Sequence, residues 1–246
     1  GHMFSVLNNA DKYNNTTIGL DIENDTSWGN DVYLSHIMVS QTSTGASFWT
    51  GIYSAGVGPQ IADSYVLLNN ITDPTGADVS LYGYPGDLTK AYADARPSID
   101  SKFVNVILQN SYNGILGSGH IEGIFFTNGE ILGNNIGVNI DGTTEPRNLT
   151  QNILFSNFHM NTHFYGFKFK NVNTVNIENA LFMVLNGNST DEYDAISAAN
   201  SNWYTFSHNV VNGNSYSQND NGVVFTAMGP STVTANVFNY TGGYAF

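Results

Sequence analysis

Cysteine is absent from the 246 residues, which excludes disulfide staples and thiol chemistry and suits a chain made in a reducing compartment, wherever it later works. Basic residues are scarce: seven Lys plus Arg stand against 20 Asp plus Glu, for a net charge of −13. A field of that sign repels phosphate backbones and releases few counterions, so neither nucleic acid nor an anionic membrane is an expected partner. Strongly anionic polymers would need local Arg or Lys to be held, and neutral or mildly acidic glycans fit better. No apolar run approaches the roughly 18 residues that cross a bilayer, and no basic-then-apolar leader is present, so no membrane insertion is expected. Linkers rich in Pro or Ser and blocks of one charge are missing too. The chain reads as one domain over 4–246, with Gly1-His2-Met3 as a cloning scar.

What is present is 13% aromatic and 11% charged residues in a background of Asn, Gly, Ser and Thr. Disordered chains are poor in aromatics and helical bundles are rich in Ala, Glu, Lys and Leu, so the mixture points to an all-β chain. Five octets align, IFFTNGEI from 124, ILFSNFHM from 153, VNIENALF from 175, YTFSHNVV from 204 and STVTANVF from 231, with starts 29, 22, 29 and 27 residues apart. Their third position (Phe126, Phe155, Ile177, Phe206, Val233) and eighth (Ile131, Met160, Phe182, Val211, Phe238) are apolar. The fourth (Thr127, Ser156, Glu178, Ser207, Thr234) is polar, which is the alternation of a strand with one face inward. Asn128, Asn157, Asn179, Asn209 and Asn236 stand just after, and Asn tolerates the left-handed backbone of a tight corner, so one corner per coil is expected there. A shorter Gly-apolar-x-apolar element starts at Gly19, Gly51, Gly114, Gly137, Gly166 and Gly222, with Ala195 as a variant. Strands recurring about every 27 residues with variable turns predict a parallel solenoid of roughly seven to eight coils; β-propeller repeats are longer and hairpin turns shorter.

These octets and their Gly-led partners resemble the pectate-lyase-like superfamily of right-handed parallel β-helices over nearly the whole chain, and the Asn-, Ser- and Tyr-rich texture without Cys most resembles the body of a bacteriophage or prophage tailspike. The resemblance implies a homotrimer on a virion tail or another extracellular location, of a kind that binds, and often cleaves, bacterial surface polysaccharide; with Arg96 and Arg147 the sole arginines to hold a uronate, any cleavage is expected to be that of a glycosidase before that of a lyase. The alternatives are a non-catalytic glycan-binding or adhesin module, a secreted pectate-lyase-like enzyme, or a structural spacer. The polygalacturonase-like set of paired Asp, Gly-His-Gly and Arg-x-Lys is missing, and Gly119-His120-Ile121 is a partial echo.

Residues 73–103 break the repeat and read as a long insertion, a feature that usually carries function. The ridge that contains it is the expected site. Asp21, Glu23, Asp87 and Glu145 are the candidate carboxylates, because glycosidic cleavage needs two carboxyl groups flanking one bond. Trp28, Tyr82 and Tyr84 are candidate sugar platforms, with Arg96 and Arg147 as cationic contacts; Tyr53, Trp49 and Trp203 are further aromatics, Trp203 being expected in the core or between subunits. His120 beside Glu122 reads first as a structural histidine and second as an acid–base pair. No spacing supports a resident metal or other cofactor, and a loose Ca²⁺ site among Asp191, Glu192 and Asp194 reads rather as a polar loop. Leu116, Leu154 and Val224 are the outward apolar residues expected to need cover by another subunit.

Overall fold

A computed structural model of the chain describes residues 4–8, 18–23, 31–41, 48–84, 97–142, 150–185, 192–213 and 220–239, and among them every regular element is a strand. All pairings are parallel and wind the chain into a β-solenoid with three faces. The first face stacks Ile18–Glu23, Thr50–Ala55, Ala77–Gly83, Asn113–Gly119, the ends of Glu130–Gly142 and His159–Lys170, Tyr193–Ala199 and Asp220–Thr226. The second stacks Asp31–Ser35, the starts of Gly58–Asn70 and Ser98–Ser111, Ile121–Thr127, Gln151–Ser156, Asn173–Glu178, Asn202–Ser207 and Ser231–Thr234. The third runs from Phe4–Asn8 and Ile37–Gln41 through the other parts of the four long strands to Leu181–Val184, Val210–Asn212 and Val237–Asn239.

Register makes each position of a coil into a column. Phe126, Phe155, Ile177, Phe206 and Val233 are successive partners in the second face, and the column extends back through Phe103 and Ile61 to Leu34. The first four are buried and Val233, in the last described coil, is half-buried. Phe126 and Phe155 stack at 5.3 Å between ring centroids, and Phe158 and Phe167 meet Phe155 edge-on. Each such pair adds about 0.5–1.5 kcal/mol to the burial of the rings themselves. The eighth octet positions likewise pair from Ile131 to Phe238 on the third face.

The corner between the second and third faces is a column of left-handed residues: His36, Asp63, Asn105, Asn128, Asn157, Asn179, His208 and Ala235 all have φ between 49° and 57°. Three of the five expected Asn stand there. Asn209 and Asn236 do not; each follows the left-handed residue by one position and hydrogen-bonds across coils instead. Asn236 Oδ1 accepts from the Asn209 backbone N–H at 2.9 Å, and Asn209 Oδ1 accepts from that of Ala180 at 3.0 Å.

The stretch 73–103 is less of an interruption than its sequence implies. Ala77–Gly83 is an ordinary rung of the first face, and Ser98–Ser111 opens on the second, so the extra length lies between them, where 85–96 fall outside the described residues. This coil escaped the repeat because Asp78 occupies a column otherwise held by Gly19, Gly51, Gly114, Gly137, Gly166, Ala195 and Gly222. The column is tight and faces inward: a Cβ on Gly51 would lie 2.5 Å from a Val66 methyl and 2.7 Å from the Asp78 carbonyl oxygen.

Asp78 is therefore a carboxyl inside the solenoid, fully buried, accepting from Asn134 Nδ2 at 2.8 Å through one oxygen while the other has no partner among the described residues. Burial pushes its pKa well above the ordinary carboxylate value, and the Asn134 hydrogen bond offsets part of the rise. A carboxyl raised in the folded state favours folding fully only below its unfolded pKa of about 3.9, and that contribution is lost as pH rises towards the folded value. Asp78→Asn keeps an acceptor for Asn134 and removes the titration. Its thermal midpoint is expected to exceed that of the wild type at pH 7, with the gap closing below about pH 4; an equal or lower midpoint at pH 7 would show that the carboxyl is not held at a cost.

Candidate functional site

Asp21 and Glu23 flank the inward-facing Ile22 on the first strand of the first face and both point outward, exposed. The register sets Tyr53 beside Asp21, and Tyr82 in the same column as Glu23 with Ala55 between them. Tyr84 follows on from that strand and its ring packs edge-on against Tyr82, 4.7 Å between centroids. Three successive coils thus combine two carboxylates and three phenols on one patch. Tyr53 reports their proximity: its pKa is raised first by burial and then by Tyr84, Glu23, Asp21 and Tyr82.

Four of the nine residues expected to form the site, Asp21, Glu23, Tyr82 and Tyr84, are together here. Trp28, Asp87, Arg96, Glu145 and Arg147 lie outside the described residues. The strands that lead to those five end at one edge of the first face, since Glu23, Ala55 and Tyr82 share one column and Gly83, Gly119 and Gly142 the next.

Other candidates are placed differently. His120 is buried directly after the Gly83, Gly119, Gly142 column, and its backbone N–H donates to the Gly83 carbonyl at 2.9 Å. Its Nε2 stands 3.9 Å from Glu122 Oε2, too far for a hydrogen bond, and burial lowers its pKa despite Glu122. Its ring Nδ1 is buried with no hydrogen-bond partner among the described residues, so the side chain is enclosed and not paired with Glu122. Trp203, expected in the core or between subunits, is not in the core: it is 60% exposed, with a left-handed φ of 58°. Trp49 is half-buried and donates from Nε1 to Thr75 Oγ1 at 2.8 Å.

Glu192 and Asp194, expected in a polar loop, form a second polar group at the far end of this face, where Asp194 belongs to the strand Tyr193–Ala199; Asp191 lies outside the described residues. Asp194 is buried and accepts from Asn221 Nδ2 at 2.9 Å, and exposed Glu192 accepts from the same amide at 3.5 Å. Burial pushes the pKa of Asp194 up, Asn221 pulls it back, and Glu192 adds to the rise. Beside them Lys168 lies 4.9 Å from the centroid of the Tyr165 ring, a cation–π contact. The signal was there as an acidic run, but sequence could not show that Tyr193 turns inward and Asp194 is enclosed. Among the described residues no three His, Asp or Glu converge as metal ligands.

Comparisons with protein-family models, curated proteins and solved structures return no match. The solenoid consequently rests on strand register, and no residue's role is inherited from a relative.

Proposed function

We propose that the chain is a polysaccharide-recognition solenoid of the bacteriophage tailspike type, working on a virion tail or in another extracellular setting, whose ligand is a bacterial surface glycan. The observation that carries this reading is the patch of Tyr53, Tyr82 and Tyr84 with Asp21 and Glu23 on consecutive coils. Aromatic faces with polar rims suit pyranose rings, whose C–H faces are apolar and whose edges carry hydroxyls. Carboxylates accept from those hydroxyls, and a net charge of −13 favours a neutral or weakly acidic chain over a polyanion.

Hydrolysis is the second reading, supported by the outward pair on one strand. Asp21 and Glu23 are two residues apart on one side of a strand, their Cα atoms about 7 Å apart by strand rise, a spacing from which the carboxyl groups can adopt the roughly 6.5–9.5 Å separation of inverting glycosidases. Capsule or O-antigen from the host bacterium, titrated into the protein, tests both readings. Tyr82→Ala with Tyr84→Ala is expected to weaken binding by about tenfold or more, as loss of aromatic anchors does. Glu23→Ala is expected to abolish product formation, read by chromatography, with binding retained. Unchanged affinity in the double tyrosine variant overturns the site, and unchanged turnover in Glu23→Ala overturns the hydrolytic reading.

The tailspike reading also entails a homotrimer. Leu116, Leu154 and Val224 do point outward, but they are half-buried; more exposed aliphatic side chains include Leu181, Met183 and Val237 on the third face and the adjoining Leu185. A stripe of this kind is the surface that subunits would cover. Light scattering is expected to give a trimer that Leu181→Lys with Met183→Lys dissociates; a wild-type monomer at high protein concentration counts against the tailspike assignment while leaving glycan binding to the titration above.

A further inference from the structure

The second face of the same coils carries a depression of about 340 Å³ whose lining includes Tyr33, Gln60 and Lys102. We infer that it is a separate subsite for a ring bearing a single carboxylate, a uronic-acid type of sugar residue, with Tyr33 as the platform, Lys102 as the counter-charge and Gln60 as the hydrogen-bonding group. Tyr33, Gln60 and Lys102 are consecutive partners in the ladder, so their Cα atoms rise by about 4.8 Å per coil and span roughly 10 Å in all. Tyr33 is 72% exposed, the most exposed large apolar or aromatic side chain among the described residues. Lys102, exposed, forms no hydrogen bond or ion pair with any described residue, unlike Lys170, which pairs with Asp141 at 3.1 Å, and Lys168, which lies over Tyr165. The neighbouring carboxylate of Asp63, at the next corner, accepts from Asn105 Nδ2 at 2.9 Å.

The size suits one sugar residue, at the small end of the roughly 300–1,000 Å³ of ligand pockets. Charge selects the class. The global field of −13 disfavours a polyanion, but at physiological salt it is screened beyond about 8 Å, so a lone ammonium inside the depression governs what is bound there. One ammonium matches one carboxylate, and a side-chain amide beside it supplies both a donor and an acceptor to ring hydroxyls. The depression is on the same first three coils as the tyrosine–carboxylate patch, across one corner from it. An acidic residue in an otherwise neutral repeat would then be read separately from its neighbours, an extension that rests on the glycan-binding function proposed above.

Methyl glucuronide, its neutral counterpart methyl glucoside and glucose 6-phosphate, titrated separately and followed by NMR shifts of the lysine and tyrosine side chains, test the assignment. The glucuronide is expected to perturb Tyr33 and Lys102 and to bind more tightly than the other two. Lys102→Ala is expected to weaken it about fivefold, the scale of one exposed ion pair, while Lys102→Arg retains it. Tyr33→Ala is expected to weaken it about tenfold. Equal binding of the glucoside, tighter binding of the phosphate, or an unchanged affinity in Lys102→Ala overturns the subsite. If the double tyrosine variant loses polysaccharide while the Lys102 variants behave as wild type, the subsite fails and the first-face site stands; the converse result separates them the other way.

Discussion

Parallel backbone hydrogen bonding from coil to coil in a nearly constant register is the constraint on which the rest of this structure depends. Each coil contacts only its neighbours, so a position that points inward in one coil points inward in the next and must be filled compatibly. That rule turns Phe103, Phe126, Phe155, Ile177 and Phe206 into one continuous core column and gathers left-handed residues at a shared corner from His36 to Ala235. The corner holds His, Asp and Ala as well as Asn because the backbone angle, and not the side chain, is what the column repeats.

Outward columns are under no such rule, and it is there that the coils differ. On the first face the column beginning at Asp21 continues through Tyr53, Ser80, Leu116, Asn139 and Lys168, a change of chemistry at nearly every step. Specific recognition needs that variation, since identical rungs would present a uniform surface. The tyrosine–carboxylate patch and the Tyr33 depression both arise where outward columns of the first three coils combine aromatic and polar residues.

Much of the fold was legible because the inward alternation is strict: the octets placed Phe126, Phe155, Ile177, Phe206 and Val233 in register, and the Gly-led elements are one column of the first face. Legibility failed where one residue departs from its column. Asp78 in a Gly position concealed a complete rung and made 73–103 read as a longer insertion than it is, and Asn209 and Asn236 sit one place beyond the left-handed corner because a side-chain ladder replaces the backbone role there. Asp21, Glu23 and Tyr82 were legible as neighbours, because their strand positions fix their direction, and Tyr84 joins them by packing on Tyr82. Lys102 and Tyr33 were not, because a cation and an aromatic 69 residues apart become neighbours only through Gln60, on the rung between them.

Hydroxyl-radical footprinting with and without the polysaccharide tests the central claim most directly, because it reads individual side chains at once. If the first face is the binding surface, the glycan lowers the oxidation of Tyr53, Tyr82 and Tyr84 severalfold and leaves exposed Trp203, several coils away on the second face, unchanged. Unaltered oxidation of the three tyrosines in the presence of bound glycan, or protection confined to Trp203 or to Met183 on the third face, would contradict it.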